Sequence, residues 1–434
     1  MRGCLYLRPM TVNTPPPPSA SRRRDRRATF DVPRHGRPPQ GSPWRGVFRI
    51  IGLAVVVGLV STLSIAGLSV WDLSNRIVGN AVDITNPDDN TPPQIGAING
   101  SFNLLVVGVD NDTEQDAAYG ERDTTLNDVN ILLHVSADHT SATVVSIPRD
   151  LVTAQPSCTD TSTGTTSSAQ TGVALNTAFA RGGLACVVNT VEQLTDLDIP
   201  YAAQMSFNAV VQMTDAVGGV PVCLADPIKD DYSGLDLPAG TSVISGTTAL
   251  QFLRTRHGVG DGSDLSRISS QQVYLSSLVR RIQSDDTLTD FSKLYGLAEV
   301  AATNVRLSTS LTSLDTMVSM AQSMRTVDLS AMALVQYPGT TEDSRYPGKV
   351  VPLADEADAL FAAIAADQPL VLDDDAIGEG AQLDPTATET TAPVDPANPT
   401  DTATPTETNA GGATVGGLQG QLADQQTCSV GFGN

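Results

Sequence analysis

The sequence predicts an α/β fold, an αβα sandwich in which helices cover both faces of a central mixed sheet and one N-terminal helix anchors the chain in a membrane. Three observations predict this architecture. Apolar runs such as FNLLVVGVD (102–110) have the composition of buried strands. Later segments place apolar residues at three- and four-residue spacing, which is typical of helices. An uncharged stretch from Ile50 to Val70 is about long enough to cross the hydrocarbon core of a bilayer.

The predicted strands are continuous apolar runs rather than alternating ones. They are FNLLVVGVD (102–110), VNILLHV (129–135) and ATVVSIP (142–148). Continuous runs indicate strands that are buried on both faces, so helices are expected above and below the sheet. The helices with the clearest periodicity are predicted at 184–194, 207–217 and 265–283.

The stretch VFRIIGLAVVVGLVSTLSIAGLSVW (47–71) is predicted to be a single transmembrane helix. Residues 1–49 hold eleven arginines against two aspartates, and this excess places the N-terminus in the cytoplasm and the rest outside. The alternative is a cleaved signal peptide, which usually has a shorter apolar core and a shorter basic region before it. An uncleaved anchor is therefore favoured, which predicts a single-pass protein of the plasma membrane.

The composition divides the chain into five parts, of which 47–71 is the membrane helix. Residues 1–46 form a basic segment that is predicted to be disordered in the cytoplasm, and 72–98 form a polar stalk. A globular domain is predicted over 99–370, followed by an acidic, low-complexity tail over 371–434, of which 378–427 is predicted to be disordered. The chain has 48 acidic and 26 basic residues, and the basic ones concentrate beside the membrane, which argues against a nucleic-acid partner.

The cysteines predict disulfide chemistry outside the cytoplasm. Cys4 precedes the membrane segment, whereas Cys158, Cys186, Cys223 and Cys428 follow it, an even number in a compartment that permits disulfides. Cys158 and Cys186 bracket a Ser-, Thr- and Gly-rich loop with little core of its own, so a bridge between them is predicted to limit its freedom. Cys223 and Cys428 are expected to be either paired or free.

Three arginines lie close together in ALQFLRTRHGVGDGSDLSRISSQQ (249–272). Arg254 and Arg256 precede a Gly-rich loop, and Arg267 lies in the first turn of the next helix, with Asp264 or the serine before it as N-cap. Arginine forks beside a helix N-terminus favour an anion, so these residues are candidates for binding one. The alternative interpretation is that they pair with neighbouring aspartates at the surface.

Charged residues also lie at the ends of the predicted strands. Arg149 and Asp150 follow the strand in VVSIPRDL (144–151), a position where open α/β sheets place ligands. Asp110 ends the first strand and Asp128 precedes the second. Two carboxylates at strand ends offer the oxygen ligands that Mg²⁺ prefers, and a solvated loop is the alternative interpretation.

The sequence lacks the common signatures of hydrolases and metalloproteases, since neither G-x-S-x-G nor H-E-x-x-H occurs. His134 lies within a predicted strand and is interpreted as a core residue, and His139 lies in a predicted turn. His257, beside the arginines, is the one histidine that is a candidate for supporting their site.

Six stretches in order carry a resemblance to a known family. They are FNLLVVGVD, NDVNILLHV, VVSIPRDL, LNTAFARGG, TVEQLTDLDIPYAAQMSFNAVVQMTDAVGGVPVCL and GTTALQFLRTRHGVGDGSDLSRISSQQ. Together they resemble the LytR-CpsA-Psr family over about 100–285, with an extension to 370. The number and order of the motifs make the resemblance specific. The cysteines and the tail resemble those of actinobacterial members.

The resemblance implies a phosphotransferase that depends on Mg²⁺, with Mn²⁺ as the alternative ion. Such an enzyme moves a glycopolymer from a polyprenyl diphosphate lipid carrier to a peptidoglycan hydroxyl and forms a phosphodiester. By motif, Asp110 and Asp128 correspond to the metal-binding carboxylates. The diphosphate-binding set corresponds to Arg149, Arg254, Arg256 and Arg267. Asp264 is a further candidate for binding the substrate, and Asp150 is an open choice for the general base.

Two positions depart from the family pattern. The family often has Arg-Ser/Thr-Asp-Thr just before its second strand, whereas here the aligned residues are LNDVN and RDT occurs five positions earlier. Either Asp123 or Asp128 could therefore reach the metal, and alignment on the following strand favours Asp128 over Asp123 and its neighbour Arg122. Arg181 stands where an aromatic or small residue is usual.

Two other functions fit the same residues. A non-catalytic attenuator or regulator would bind wall lipids without turnover, and it could lose the carboxylates without losing its role, so the retained acidic pair favours an enzyme. A polyprenyl diphosphate phosphatase would use the same cleft with water as the acceptor, so only the product distinguishes it from a transferase.

Overall fold

The structure, a computed structural model, describes residues 43–84, 100–111, 124–160, 163–283, 291–373, 375–387 and 412–433. Several predictions lie outside the described residues: those for residues 1–42, most of the stalk, Cys4, Arg122, Asp123 and the tail over 388–411. The chain divides into two units, Met1–Ser64 and Ile65–Asn434, at a point inside the first helix.

Eight α-helices lie within the described ranges. They are α1 (Pro43–Gly79), α2 (Ala178–Thr195), α3 (Phe207–Ala216), α4 (Gly246–Arg254), α5 (Asp264–Gln283), α6 (Phe291–Asn304), α7 (Leu314–Thr326) and α8 (Ala354–Ala365). Short 3₁₀ helices occur at Leu175–Thr177, Thr309–Leu311 and Leu329–Ala331. The periodic segments predicted at 184–194, 207–217 and 265–283 correspond to α2, α3 and α5, so these three predictions are confirmed.

The strands are short and numerous. In chain order they are β1 (Phe102–Val109), β2 (Asn127–Val135), β3 (Ala142–Ile147), β4 (Val152–Gln155), β5 (Cys158–Thr159), β6 (Thr166–Ser167), β7 (Gln170–Ala174), β8 (Tyr201–Met205), β9 (Val220–Leu224), β10 (Ile228–Asp230), β11 (Leu235–Leu237), β12 (Gly240–Ile244), β13 (Val305–Leu307), β14 (Met332–Gln336), β15 (Gly339–Thr340), β16 (Val351–Pro352), β17 (Leu370–Val371), β18 (Ala381–Leu383), β19 (Ala413–Thr414), β20 (Gly420–Leu422) and β21 (Thr427–Ser429). The three apolar runs correspond to β1, β2 and β3, as predicted.

The central sheet has seven strands in the order β13-β8-β1-β2-β3-β14-β20. Strands β1, β2 and β3 form an antiparallel meander, in which six residues (136–141) join β2 to β3. Strand β8 adds parallel to β1, and β14 adds parallel to β3. The outer strands β13 and β20 are antiparallel to their neighbours. The sheet is therefore mixed, as the sequence predicts.

Helices cover both faces of this sheet. Along a strand, successive side chains point to opposite faces, so adjacent residues enter different cores. One core joins the sheet to α2 and α8 through Leu105, Val107, Leu132, Val145, Val187, Val191, Leu360 and Ile364. The other joins it to α5 and α7 through Leu133, Val144, Leu275, Met320, Met332 and Leu334. This two-sided burial explains why the three central strands are continuous apolar runs.

The tail differs from the prediction of a disordered segment over 378–427. Strand β20 completes the central sheet, and β18 and β21 join β9 and β12 in a four-stranded sheet of order β12-β9-β21-β18. The backbone at Gly380 lies so close to α5 that a Cβ at this position would collide with the backbone of Ser266. The prediction is wrong for the described parts of the tail, since their few apolar residues dock on elements far away in sequence.

Two disulfides cross-link the described chain. Cys158 bonds Cys186, which confirms the predicted pair and ties β5 to α2. Cys223 bonds Cys428, which decides between the two alternatives left open for these cysteines. The two residues lie opposite each other on the parallel strands β9 and β21, so the second bridge fastens the end of the chain to the domain.

The predicted membrane span at 47–71 falls within α1. Over the described residues, no helix combines the length and the apolar character that crossing a membrane requires. The membrane helix therefore stays a prediction.

Candidate functional site

The predicted site residues converge on one edge of the central sheet. Strands β1, β3, β8 and β14 end at this edge, and β2, which runs antiparallel to β1 and β3, begins there. Asp110 follows β1, Asp128 lies at the start of β2, and Arg149 and Asp150 follow β3. The carboxyl ends of strands are where open α/β sheets bind ligands, so the fold places these side chains where a ligand is expected.

Seven charged side chains form what is called here the charged cluster: Asp128, Arg149, Asp150, Arg256, Asp264, Arg267 and Lys349. Arg149 lies at its centre. Its Nη1 donates to Asp128 Oδ1 at 2.7 Å, and its Nε lies 3.6 Å from Asp150 Oδ2 and 3.9 Å from Asp264 Oδ1. Burial alone lowers the pKa of Arg149, but these carboxylates outweigh it and raise the pKa above the ordinary arginine value. The guanidinium is thus permanently charged.

The start of α5 contributes a buried ion pair. Asp264 opens the helix, and its Oδ1 lies 2.6 Å from Nη2 of Arg267, one turn later. Their side chains are only 1% and 7% exposed. Neither carboxylate oxygen of Asp264 has a hydrogen-bond partner among the residues described, although Oδ1 lies within ion-pair distance of Arg267. Burial lowers the pKa of Arg267, because taking a charge out of water is costly, while Asp264 opposes that shift. A buried pair of this kind is costly in isolation and is expected to gain from an added ligand.

Asp150 holds two cations in place. Its Oδ1 accepts from Lys349 Nζ at 2.7 Å, and its Oδ2 lies 3.8 Å from Nη1 of Arg256. Burial raises the pKa of Asp150, but the bond from Lys349 and the charges of Arg149, Lys349 and Arg256 outweigh it and hold the pKa below the ordinary value. A carboxylate with a depressed pKa is a weak proton acceptor, so this geometry disfavours Asp150 as the general base.

Lys349 is a member of the cluster that sequence reasoning missed. It lies 199 residues from Asp150 in sequence, and its surrounding residues form no motif. The backbone brings it into place: Val350 N donates to Asp150 O at 3.1 Å, and Val152 N donates to Val350 O at 2.8 Å. Only this long-range pairing places the amine beside the carboxylate, so no local signal could have found it.

The cluster holds four cationic side chains against three carboxylates. It is thus a locally positive site in a chain whose formal net charge is −22. All four cationic side chains of the cluster are partly or largely buried, and Lys349 is the most exposed of them at 40%. Partly buried arginine forks suit a ligand with several anionic oxygens, because each fork can donate two parallel hydrogen bonds.

The two predicted metal ligands lie at adjoining strand ends. Asp110 is buried at 2% exposure, and its Oδ1 accepts from Leu126 N at 2.8 Å, opposite the start of β2. Asp128 is two residues further along, and its carboxylate faces Arg149. Carboxylate oxygens are the donors that Mg²⁺ prefers, and Asp110 and Asp128 offer two such groups at this edge. The residues present therefore fit such an ion.

Other predicted residues take different places. The Arg254 guanidinium lies 4.5 Å from the ring centroid of Phe207, the first residue of α3, in a cation–π contact. His257 is exposed, and its ring centroid lies 4.6 Å from that of Tyr232. His134 is buried, as predicted, between Asn103 and Asp367.

Arg181, one of the two departures from the family pattern, makes hydrogen bonds that serve the structure. Its Nη1 donates to Gln155 Oε1 at 2.8 Å, and its Nη2 donates to Pro156 O at 3.1 Å. These bonds tie α2 to the end of β4, just before Cys158, so the side chain braces the disulfide-linked loop.

Comparisons with known proteins agree with the motifs. A family model described as LytR_cpsA_psr family matches residues 75–361. The cell wall biosynthesis protein LcpA of Corynebacterium glutamicum is 29% identical over 284 residues, covering 58% of this chain and 55% of LcpA. TagT of Bacillus subtilis, named polyisoprenyl-teichoic acid–peptidoglycan teichoic acid transferase, is 26% identical over 218 residues, covering 49% of this chain and 61% of TagT.

A solved structure supports the fold. The crystal structure of protein gbs0355 from Streptococcus agalactiae matches with a TM-score of 0.50 and 21% identity, covering 62% of this chain and 88% of that one. The chain spans about half the length of the curated relatives it matches first.

Proposed function

The chain belongs to the LytR-CpsA-Psr family, and we propose that it transfers a glycopolymer from a polyprenyl diphosphate lipid carrier to a hydroxyl of peptidoglycan. The observation that carries the proposal is the charged cluster at the carboxyl edge of the sheet, where Arg149, Arg256 and Arg267 surround the end of β3 and the start of α5. Relatives are named for cell wall biosynthesis and for teichoic acid transfer to peptidoglycan, which supports the same chemistry here.

In the proposed reaction, the acceptor hydroxyl oxygen bonds to the phosphorus that carries the glycopolymer. The bond from that phosphorus to the bridging oxygen breaks, the hydroxyl proton is released, and polyprenyl monophosphate leaves. Such a reaction needs positioning and charge stabilisation more than covalent help from the protein. The arginines of the cluster supply both, because they can bind the diphosphate oxygens and stabilise the charge that grows on the leaving phosphate.

The diphosphate is expected to exchange places with carboxylates of the cluster. Asp128, Asp150 and Asp264 lie against the arginines and offset most of their charge, so the protein stores no large unpaired charge. An anion with several oxygens can take over these partners, and Lys349 can then follow Asp150 or turn to the ligand. The carboxylates therefore keep the arginine forks ordered before the substrate arrives, which reduces the entropy cost of binding.

The proposal includes a divalent ion, Mg²⁺ with Mn²⁺ as the alternative, held by Asp110 and Asp128. When bound, the ion would neutralise part of the diphosphate charge and polarise its oxygens. The pairing of Asp128 with Arg149 links the two parts of the site, because this carboxylate would hold the arginine on one oxygen and face the ion with the other.

The test of the function is transfer from a synthetic polyprenyl diphosphate-linked glycan to peptidoglycan, with a Mg²⁺ titration. Wild-type protein is expected to form the phosphodiester product. Asp128→Asn, which halves the charge available to the ion, should raise the Mg²⁺ concentration for half-maximal rate by about tenfold or more, if the ion contact is worth ~1.5–3 kcal/mol.

Asp236→Asn is the matched control, because this aspartate is 77% exposed and only 3.9 Å from Lys229, a pair of little energetic value. An unchanged Mg²⁺ requirement in folded Asp128→Asn would show that Asp128 does not bind the ion. Release of free glycan phosphate instead of the wall-linked product would assign a diphosphatase, and tight lipid binding without turnover would assign an attenuator.

We further propose that residues 47–71 form a membrane-spanning helix and that residues 72–434, which follow it, lie outside the cytoplasm. A protein with Thr400→Cys should react with a membrane-impermeant maleimide in intact cells. Cys4 is the matched control in unsubstituted protein, because the other four cysteines are bonded in pairs and only this thiol remains. Cys4 should react only after lysis. Protection of the new cysteine at position 400 until lysis would contradict the topology.

A further inference from the structure

The last described residues run alongside the glycine-rich loop that separates two arginines of the charged cluster. This loop, 258–263, is called here the glycine loop, and 427–433 is called the C-terminal segment. Gly260 N donates to Val430 O at 3.1 Å, and Phe432 N donates to Gly258 O at 3.0 Å. Gly433 N donates to Gly260 O at 3.3 Å. The two stretches thus pair like antiparallel strands, centred on a bridge between Val259 and Gly431.

The glycine loop is held from two directions. At the start of α5, Ser266 Oγ donates to Asp261 Oδ1 at 2.6 Å and accepts from Asp261 N at 3.3 Å. Gly260 and Gly262 have φ angles of 49° and 79°, a region that other residues adopt at a cost, so the sequence allows the loop many conformations in isolation. Val259 is its one fully buried apolar side chain. The ring of Phe432 covers Gly262 so closely that a Cβ there would lie 3.1 Å from it. The order of this loop therefore depends in part on the segment that pairs with it.

The C-terminal segment is itself firmly held. Its strand β21 lies between β9 and β18, and the Cys223–Cys428 disulfide joins it covalently to β9. Ser429 Oγ lies 2.7 Å from Ser270 Oγ on α5, and both are buried. The segment is thus fixed to the same helix whose first turn carries Asp264 and Arg267.

The glycine loop connects directly to the cluster. Arg256 lies two residues before it, and Asp264 follows it at once. On the Arg256 side, Asp230 accepts from Thr255 Oγ1 at 2.7 Å and from Arg256 N at 3.3 Å. Asp230 therefore fixes the backbone before the loop, while the C-terminal segment and Ser266 together fix the backbone of the loop.

We propose that the C-terminal segment is a positioning element of the anion site, which sets the distance and orientation between Arg256 and Arg267 through the glycine loop. The inference rests on the proposed function, in that the anion is the diphosphate of the lipid carrier. Phe432 and the backbone of residues 430–433 act on the ligand through the loop, and the Cys223–Cys428 bridge keeps them in register.

The test is a truncation of the full chain after Val430, which removes residues 431–434 and keeps β21 and its disulfide. Binding of inorganic pyrophosphate with Mg²⁺ is measured by calorimetry, because this probe lacks lipid and sugar. The dissociation constant is expected to rise about tenfold, as the loss of two hydrogen bonds and a ring contact would allow. Hydrogen exchange of the amides over 258–263 should become faster.

Phe432→Ala keeps the test decisive if the truncated protein does not fold. Because Phe432 is 59% exposed, its removal should leave the unfolding temperature nearly unchanged while it weakens pyrophosphate binding, and Phe432→Tyr should restore it. Leu383→Ala is the matched control, since this side chain is 54% exposed on β18 in the same sheet and does not belong to the pairing. The control should bind pyrophosphate like the wild type.

Two negative outcomes are distinguishable. Wild-type binding with unchanged loop exchange in both Phe432→Ala and the truncated protein would overturn the positioning role and leave the proposed function standing. Failure of the intact protein to bind pyrophosphate with Mg²⁺ would count against the diphosphate site itself, and the inference would fall with it.

Discussion

Arg149→Ala is expected to lower the rate of transfer about 100-fold, because each hydrogen bond to a charged group contributes ~1.5–3 kcal/mol and an arginine fork can make two. Arg149 touches three carboxylates of the charged cluster and is the residue nearest to its centre. Its removal would leave Asp128 without its hydrogen-bond donor and bring uncompensated negative charge to the place where a diphosphate must bind.

Arg149→Lys separates charge from geometry. Lysine keeps the positive charge but loses the planar fork, so its rate should lie between those of the wild type and the alanine variant. Arg345→Ala is the control, because Arg345 is 76% exposed, pairs only with Asp343 two residues away, and should be silent. Rates are measured with the lipid-linked glycan donor, together with the unfolding temperature. Near wild-type turnover in folded Arg149→Ala would show that this arginine forms only a structural ion pair and does not bind the substrate.

Loss of the Cys223–Cys428 disulfide is expected to have the largest effect on stability. This bridge closes 205 residues, so the chain-entropy model assigns it about 5 kcal/mol, against about 3.5 kcal/mol for Cys158–Cys186, which closes 28. Small domains are stable by only ~5–15 kcal/mol, so the first loss could unfold much of the population at 37 °C.

The measurement is urea denaturation of two double variants, Cys223→Ala with Cys428→Ala, and Cys158→Ala with Cys186→Ala. The first should have the lower midpoint. The 158/186 variant is the matched control for the 223/428 variant, since it also removes one bridge and two sulfurs. An equal or lower midpoint for the 158/186 variant would show that strain or residual structure, rather than loop length, governs these bridges.

Local pattern alone identified the central architecture. The apolar runs of β1, β2 and β3 and the periodic faces of α2, α3 and α5 are properties of neighbouring residues, and burial on both faces of the sheet makes the runs continuous. Motif order similarly identified Asp128, Arg149, Asp150, Arg256, Asp264 and Arg267. The structure gathers all six at one edge, because antiparallel pairing brings the end of β3 beside the start of β2.

The roles within that edge depended on contacts that no local pattern encodes. Asp150 is an open choice for the general base, yet Lys349, 199 residues away, holds it as a structural anion. Arg254 is grouped with Arg256 by sequence, yet it lies over Phe207, because α4 ends at Arg254 and the chain becomes extended at Thr255.

The sequence by itself determined the fold class, the family, the Cys158–Cys186 bridge and most of the charged residues, because each depends on periodicity, spacing or motif order within short stretches. Tertiary structure alone decided the Cys223–Cys428 bridge, the place of Lys349 and the order of the C-terminal segment. Residues 412–433 contain few apolar side chains and many polar ones, so their composition is that of a disordered tail. They are ordered because partners some 150 to 200 residues earlier, on β9, the glycine loop and α5, supply the hydrogen bonds, the covalent bond and the close backbone contacts that the segment cannot make alone.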